Sequence, residues 1–173
     1  RGLKINEYGV FKGDKHIAGK TEESVFKAVG LPYIPAELRS GSNEIPAAQQ
    51  HKLPKLITEK DLQGDLHVHS KASDGHASIE DMAQAARKLG LKYIAITDHS
   101  ASLTVAHGLD ETRLQKQLEA IDRINEKFSD FTILKGSEVD ILEDGRLDYH
   151  DSILAQLDIV IAAVHSKFRL ARK

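Results

Sequence analysis

Residues 65–70 read Asp65-Leu66-His67-Val68-His69-Ser70, two imidazoles set two positions apart on an apolar, strand-like segment. In a strand, residues i and i+2 point to the same side. His67 and His69 are therefore expected to converge on one point, as two ligands of one metal ion must. Three further segments repeat the arrangement, an apolar run ending in a metal-ligating residue type: Tyr93–His99 (YIAITDH), Ile133–Glu138 (ILKGSE) and Ile159–His165 (IVIAAVH). Four strand-like runs that each deliver a His or a carboxylate at their C-terminal ends predict one multinuclear metal site. In β/α barrels that end of the sheet is where active sites are built.

Working outward, residues from Gly64 alternate between β and α character. Strands are expected at 65–69, 92–97, 132–138 and 158–164. Helices are expected at 78–89, from Ser78 to a stop at Gly90, and at 110–127, capped by Asp110. A hairpin over 140–149, turning at Asp144-Gly145, and a one-turn helix at 151–155 complete the pattern. Ile79, Met82, Ala83, Ala86 and Leu89 have the spacing of one buried helical stripe. The runs at 92–97 and 158–164 are almost continuously apolar, as in parallel strands covered on both faces. The class is therefore α/β with a parallel sheet.

Upstream of residue 60 the pattern differs. Lys4–Lys12 (KINEYGVFK) reads as a strand, Gly13-Asp14-Lys15 as a turn, and Thr21-Glu22-Glu23 as a helix start. That helix would run through Val25, Phe26 and Val29 to a stop at Gly30. All four prolines, Pro32, Pro35, Pro46 and Pro54, fall in 32–60, which predicts a mostly extended linker with one short helix near Glu44–Gln50. The division expected is 1–60 and 61–173.

Composition narrows the chemistry. The 173 residues include no cysteine, so any metal must be held by imidazole and carboxylate, which favours manganese, zinc or iron over a thiolate-bound structural zinc. A net charge of −2 supplies no overall basic field for tight non-specific binding of nucleic acid. No apolar run suits a bilayer span and no signal-peptide pattern stands out, so a cytoplasmic location and no membrane partner are expected. The chain begins at Arg1 and its one methionine is Met82, which reads as a piece of a longer polypeptide.

Individual residues carry different weights. In Thr97-Asp98-His99-Ser100, His99 is the expected ligand, while Asp98 is a candidate to orient an imidazole. Glu138 is the natural bridging ligand, since a carboxylate offers one oxygen to each of two metals; Asp140 shares its parity but lies further out. His165 follows an apolar run. Lys167 and Arg169 just beyond it are candidates to hold a phosphate, or ordinary solvated charges. In Ser73-Asp74-Gly75-His76, either Asp74 or His76 is able to reach back to a metal. His16, His51, His107 and His150 are given no role.

HxH with SDG, then TDHS, GSEVDI and AAVHS, resembles the PHP (polymerase and histidinol phosphatase) phosphoesterases over about residues 64–170. INEYGVF and KTEESVFKAVGLPYIPAELR resemble the end of the thumb of bacterial and archaeal family-X DNA polymerases, in which a PHP domain follows the polymerase core. The resemblance implies a truncated (β/α)7 PHP barrel preceded by a small α/β thumb-derived segment. It implies up to three divalent ions, Mn2+ or Zn2+, with catalysis centred on His67, His69 and Glu138. His67, His69 and Glu138 would bind one ion, Glu138 and His165 a second, and Asp74 and His99 a third. Asp74 followed by Gly75 matches the polymerase branch, where the histidinol-phosphatase branch usually has a histidine. The implied activity is 3′–5′ exonuclease or 3′-end processing in DNA repair, on single-stranded 3′ ends or gapped duplex. Palm, fingers and the last barrel strands have no counterpart here, so this chain alone is expected neither to polymerise DNA nor to be an active nuclease. A missing barrel segment or a dimer partner is expected to be needed for stability. The rival readings are a histidinol-phosphatase-like phosphomonoesterase and a non-catalytic, metal-stabilised structural module.

Overall fold

A computed structural model describes residues 2–168, which divide into two compact units at Ile57/Thr58. The first unit begins with a three-stranded antiparallel sheet, β1 (Leu3–Asn6), β2 (Gly9–Lys12) and β3 (Lys15–Ala18). The expected single strand over 4–12 is thus a hairpin. Asn6 Oδ1 accepts from the Tyr8 amide at 3.0 Å, and Gly9 takes φ 126°, a left-side conformation that turns the chain back. The alternation of apolar and polar residues runs through both arms, which conceals the reversal in the sequence. Helix α1 (Glu22–Ala28) starts as expected, with the Thr21 hydroxyl accepting from the Ser24 amide, and Gly30 at φ 75° follows its C-cap. Val10, Ala18, Ile34 and Ala48 form its few buried apolar positions, and α2 (Glu44–Gln49) lies in the proline-rich stretch. Pro46 sits in the first turn of α2, where its missing N–H costs nothing.

The second unit holds a four-stranded, all-parallel, curled sheet in the order β4-β5-β6-β7. Its strands are β4 (Gly64–Val68), β5 (Tyr93–Ile96), β6 (Thr132–Asp140) and β7 (Ile159–Ala163). Helices α3 (Ile79–Lys88) and α4 (Glu111–Asn125) supply the crossovers, and the four-residue α5 (Asp151–Leu154) precedes β7. Ser78 caps α3 and Asp110 caps α4, each accepting from the amide three residues on. Ala83 and Ala86 of α3 and Ile121 of α4 bury against Ile94, Ile96 and Ile133 of the sheet. A second cluster joins Leu114 and Leu118 of α4 to Leu109, Val139 and Tyr149. Burying each large aliphatic side chain contributes about 1.5–3 kcal/mol, so these two clusters fix the helices to the strands.

Three expectations change. Leu89 falls at the C-cap of α3, beyond the last buried turn, and is 80% exposed. Strand β7 is half-buried rather than covered on both faces, because it is the last strand of the sheet among the described residues. The hairpin over 140–149 reduces to one bridge, Ile141 with Leu147, because β6 stays paired to β7 as far as Asp140 with Ala163.

Candidate metal centre

The parallel register brings the four strand ends level. Val68 pairs with Ile96, His99 bridges to Glu138, and Glu138 pairs with Ile161. His67 and His69, His99, Glu138 and His165 therefore gather at the C-terminal end of the sheet. The His67 and His69 rings stack with centroids 5.1 Å apart, His69 and His99 meet edge-on at 4.3 Å, and His99 and His165 at 5.0 Å.

Glu138 is the hub. Its Oε2 lies 3.0 Å from His67 Nε2, 3.1 Å from His69 Nε2 and 3.3 Å from His99 Nδ1, while its Oε1 lies 3.1 Å from His165 Nε2. The two oxygens thus address two different sets of imidazoles. Asp74 closes a further group, 2.9 Å from His69 Nδ1 and 3.5 Å from His99 Nε2. Three overlapping sets result: His67, His69 and Glu138; His69, Asp74 and His99; and His99, Glu138 and His165. All six residues expected as ligands are included. His76 is exposed and belongs to none of the three, so of the pair Asp74 and His76 the structure brings only Asp74 to the cluster.

Proton counting is the test of whether a cation fits here. A neutral imidazole has one N–H to donate. Yet both ring nitrogens of His69 face carboxylate oxygens (Asp74 and Glu138), and so do both nitrogens of His165 (Asp140 and Glu138). Buried His99 Nδ1 makes no hydrogen bond at all despite the nearby carboxylate. Burial holds His99 below the usual imidazole pKa, reinforced by the neighbouring His69 and His165 rings, against the opposing pull of Glu138 and Asp74. His99 is thus neutral at neutral pH, with a lone pair to give. Burial opposes ionisation of Glu138, but the hydrogen bond from His67 and the His99, His67 and His165 rings outweigh it and keep its carboxyl below the usual range. Ligand atoms on one ion at 2.0–2.2 Å lie roughly 2.9–3.5 Å apart, and the contacts around Glu138 fall in that span. The donor set fits a divalent cation.

Residues behind the cluster hold it in place. Asp98, 1% exposed, accepts from the Ser70 amide (2.7 Å), the Ser70 hydroxyl (2.6 Å), the Ser73 hydroxyl (2.5 Å) and the Gln117 amide (2.5 Å). It was a candidate to orient an imidazole. Instead its four bonds tie the loop after β4 to α4, so it acts on the backbone that carries Asp74. Arg113 of α4 adds a clamp, donating to the carbonyls of Ala72, His107 and Gly108. Gly75 completes the turn: a Cβ there would sit 2.2 Å from the His69 carbonyl oxygen. Gly75→Ala is accordingly expected to push the loop outward and weaken metal binding about tenfold, the lower end of what disturbing an outer-shell support costs; calorimetric titration with Zn2+ checks it.

Of the two phosphate-holding candidates, one lies among the described residues. Lys167 pairs with Glu143 at 2.8 Å, and Arg169 lies outside the described residues. Residues that sequence reading missed are Ser70, Ser73 and Gln117. Gln117 carried a signal, since it sits at the i+3 position of the stripe Leu114, Leu118 and Ile121, where a polar side chain needs a buried partner.

Residues 65–171 match the PHP domain family. The chain belongs to the PHP domain family. Residues 1–40 match the DNA polymerase beta thumb, a second family, upstream of the PHP domain. The chain is 46% identical over 170 residues to the DNA polymerase/3′-5′ exonuclease PolX of Bacillus subtilis, covering 97% of this chain and 30% of that protein. A probable phosphatase of Thermoanaerobacter sp. is 41% identical over 104 residues, and one of Syntrophotalea carbinolica is 35% identical over 103. Each match takes in 58% of this chain and 40% of the phosphatase. The chain therefore spans 30–40% of the length of these relatives. No helix among the described residues is long and apolar enough to cross a membrane.

Proposed function

We propose that this PHP domain hydrolyses DNA phosphodiesters at 3′ ends, as a metal-dependent exonuclease attached to a family-X repair polymerase in the cytoplasm. The observation that carries the reading is the convergence of four imidazoles on the two oxygens of Glu138 at the C-terminal end of a parallel sheet. In this reading residues 1–60 are the end of the thumb with its linker, and 61–173 the N-terminal part of a (β/α)7 barrel. A further barrel segment or a second copy would cover the sheet edges at β4 and β7. DNA, as a single-stranded 3′ end or a gapped duplex, is the proposed partner.

His67, His69 and Glu138 would hold one ion, Glu138 and His165 a second, and Asp74 with His99 a third, Mn2+ or Zn2+ in each case. Such ions lower the pKa of a bound water and neutralise charge on phosphoryl oxygens. Glu138 would serve two cations, since its two oxygens face different sets of imidazoles. His67, with its side chain about half exposed, forms the open lip through which a phosphate reaches the cluster. His99 and Glu138, each nearly buried, form its floor and limit water access from behind. The three ligand sets contain no Ser, Thr or Cys, which suits direct attack by water.

The probable phosphatases suggest the phosphomonoesterase alternative, but their likeness covers 58% of the chain, whereas the polymerase/exonuclease likeness extends across 97%. The test is to load the complete polypeptide, with the further barrel segment in place, with Mn2+ or Zn2+ and then incubate it with a 5′-labelled oligonucleotide and with a 5′-labelled strand ending in a 3′-phosphate. Stepwise shortening from the 3′ end supports the nuclease. Loss of the terminal phosphate alone supports the monoesterase, and tight metal binding without either product favours a structural module.

A further inference from the structure

We propose that Asp140 is a positioning residue for His165, fixing the imidazole so that Nε2 alone is presented toward Glu138. This inference rests on the metal-centre reading and adds to it a residue outside the three ligand sets. Asp140 is the last residue of β6, paired in register with Ala163, two residues before His165. The pairing sets the two side chains at adjacent strand ends, on the face that carries Glu138. Asp140 Oδ1 lies 3.1 Å from His165 Nδ1, and on the opposite side of the ring His165 Nε2 lies 3.1 Å from Glu138 Oε1.

Asp140 is itself held. It is 4% exposed, its amide donates to Ser100 Oγ at 2.9 Å, and its carbonyl accepts from the Asp148 amide at 3.0 Å. Ser100 follows His99, so one backbone connection links the ends of β5 and β6 to this carboxylate. Its Oδ2 is buried without a hydrogen-bond partner, which leaves Nδ1–H of His165 as the side-chain donor that Asp140 meets. With the proton drawn to Nδ1, the Nε2 lone pair is free and aimed at the space beside Glu138 Oε1. A carboxylate behind a metal-bound histidine fixes tautomer and ring orientation and raises the ligand's basicity. The neighbouring His99 has no such support: its Nδ1 is unbonded and its Nε2 is 3.5 Å from Asp74. His165 is therefore the imidazole in the cluster that is held from behind by a fully buried acid.

Two measurements on the 173-residue chain test this. First, long-range 1H–15N correlations on the Zn2+-loaded protein should place the His165 proton on Nδ1 and the metal on Nε2. The reverse assignment overturns the proposal without any variant being made. Second, Zn2+ titration calorimetry compares the parent with Asp140→Asn, Asp140→Leu and His165→Ala. Asn keeps an acceptor for Nδ1–H, so its loss of affinity should stay below about tenfold, while Leu should lose about 10–100-fold at one ion only. Equal affinities for Asp140→Leu and the parent, with affinity lost in His165→Ala, would rule out positioning by Asp140 yet leave the metal centre standing. Unchanged binding in His165→Ala would instead overturn the metal-centre reading at His165, and this inference with it. If Asp140→Leu does not fold, the tautomer assignment and the Asp140→Asn titration decide, and an Asn loss as large as that of His165→Ala counts against the proposal.

Discussion

Glu138→Ala is expected to remove most of the thermal response of the chain to zinc. In the parent, a metal that binds the folded state alone stabilises it by about 2.7 kcal/mol at a hundredfold excess over Kd. For a chain of this size that corresponds to a rise in Tm of roughly 5–10 °C. Glu138 touches His67, His69, His99 and His165 and belongs to two of the three ligand sets, so its loss disables more than one ion position at once. It also leaves four imidazoles facing one another without the acid that balances them. Of the three sets, His69, Asp74 and His99 alone keeps all its members. The affinity loss should exceed the roughly 10–100-fold typical of outer-shell supports. Stability without metal should fall modestly, because the His67 hydrogen bond and the neighbouring imidazoles outweigh the burial that opposes ionisation of Glu138. Scanning calorimetry with and without Zn2+ measures both quantities. A variant that gains as much from zinc as the parent would show that Glu138 is not the bridging residue.

The site was legible because its ligands follow strand periodicity. His67 and His69 needed only the i, i+2 rule, and His99, Glu138 and His165 needed only the observation that each ends an apolar run. A parallel sheet then does the rest, since its register sets equivalent ends side by side. Asp74 could not be separated from His76 by spacing, because both lie in a turn whose path is set by Gly75 and by contacts to residues far away in sequence. What the sequence concealed was of that second kind. Asp98 adjoins a ligand, and adjacency suggests that it orients an imidazole; two residues past the end of β5, its carboxylate instead faces Ser70, Ser73 and Gln117. The alternation from Lys4 to Lys12 is equally compatible with one strand and with a tight hairpin, and the deciding feature is the Asn6 side chain capping a turn that ends at Gly9. Asp140 was placed too far out because β6 was expected to stop at Glu138, whereas pairing with β7 carries it two residues further.

Asp98→Ala should have the opposite signature, a large loss of stability before any metal is added. The substitution leaves the Ser70 amide, two serine hydroxyls and the Gln117 amide without their acceptor in a site closed to water. An unsatisfied buried donor costs about 1–3 kcal/mol, and breaking a buried network on one side about 3–5 kcal/mol in total. The hydroxyls are able to rotate toward other acceptors, which places the expected loss in the lower part of that sum, about 3–4 kcal/mol. Tm of the metal-free chain should fall by roughly 10 °C. Asp98→Asn retains one accepting oxygen but turns an NH2 toward the remaining donors, so it should cost less, about 1–3 kcal/mol. The consequence for the metal centre is indirect. Ser73 precedes Asp74, and once Ser70 and Ser73 are released the loop no longer fixes Asp74 against His69 and His99. Zinc should therefore still stabilise Asp98→Ala, but with one fewer ion bound than the parent, because His67, His69, Glu138 and His165 keep their strand positions. Chemical denaturation of the metal-free protein together with the zinc stoichiometry separates the two roles. A variant within about 1 kcal/mol of the parent, binding the full number of ions, would mean that Arg113 and Gly75 hold the loop without Asp98.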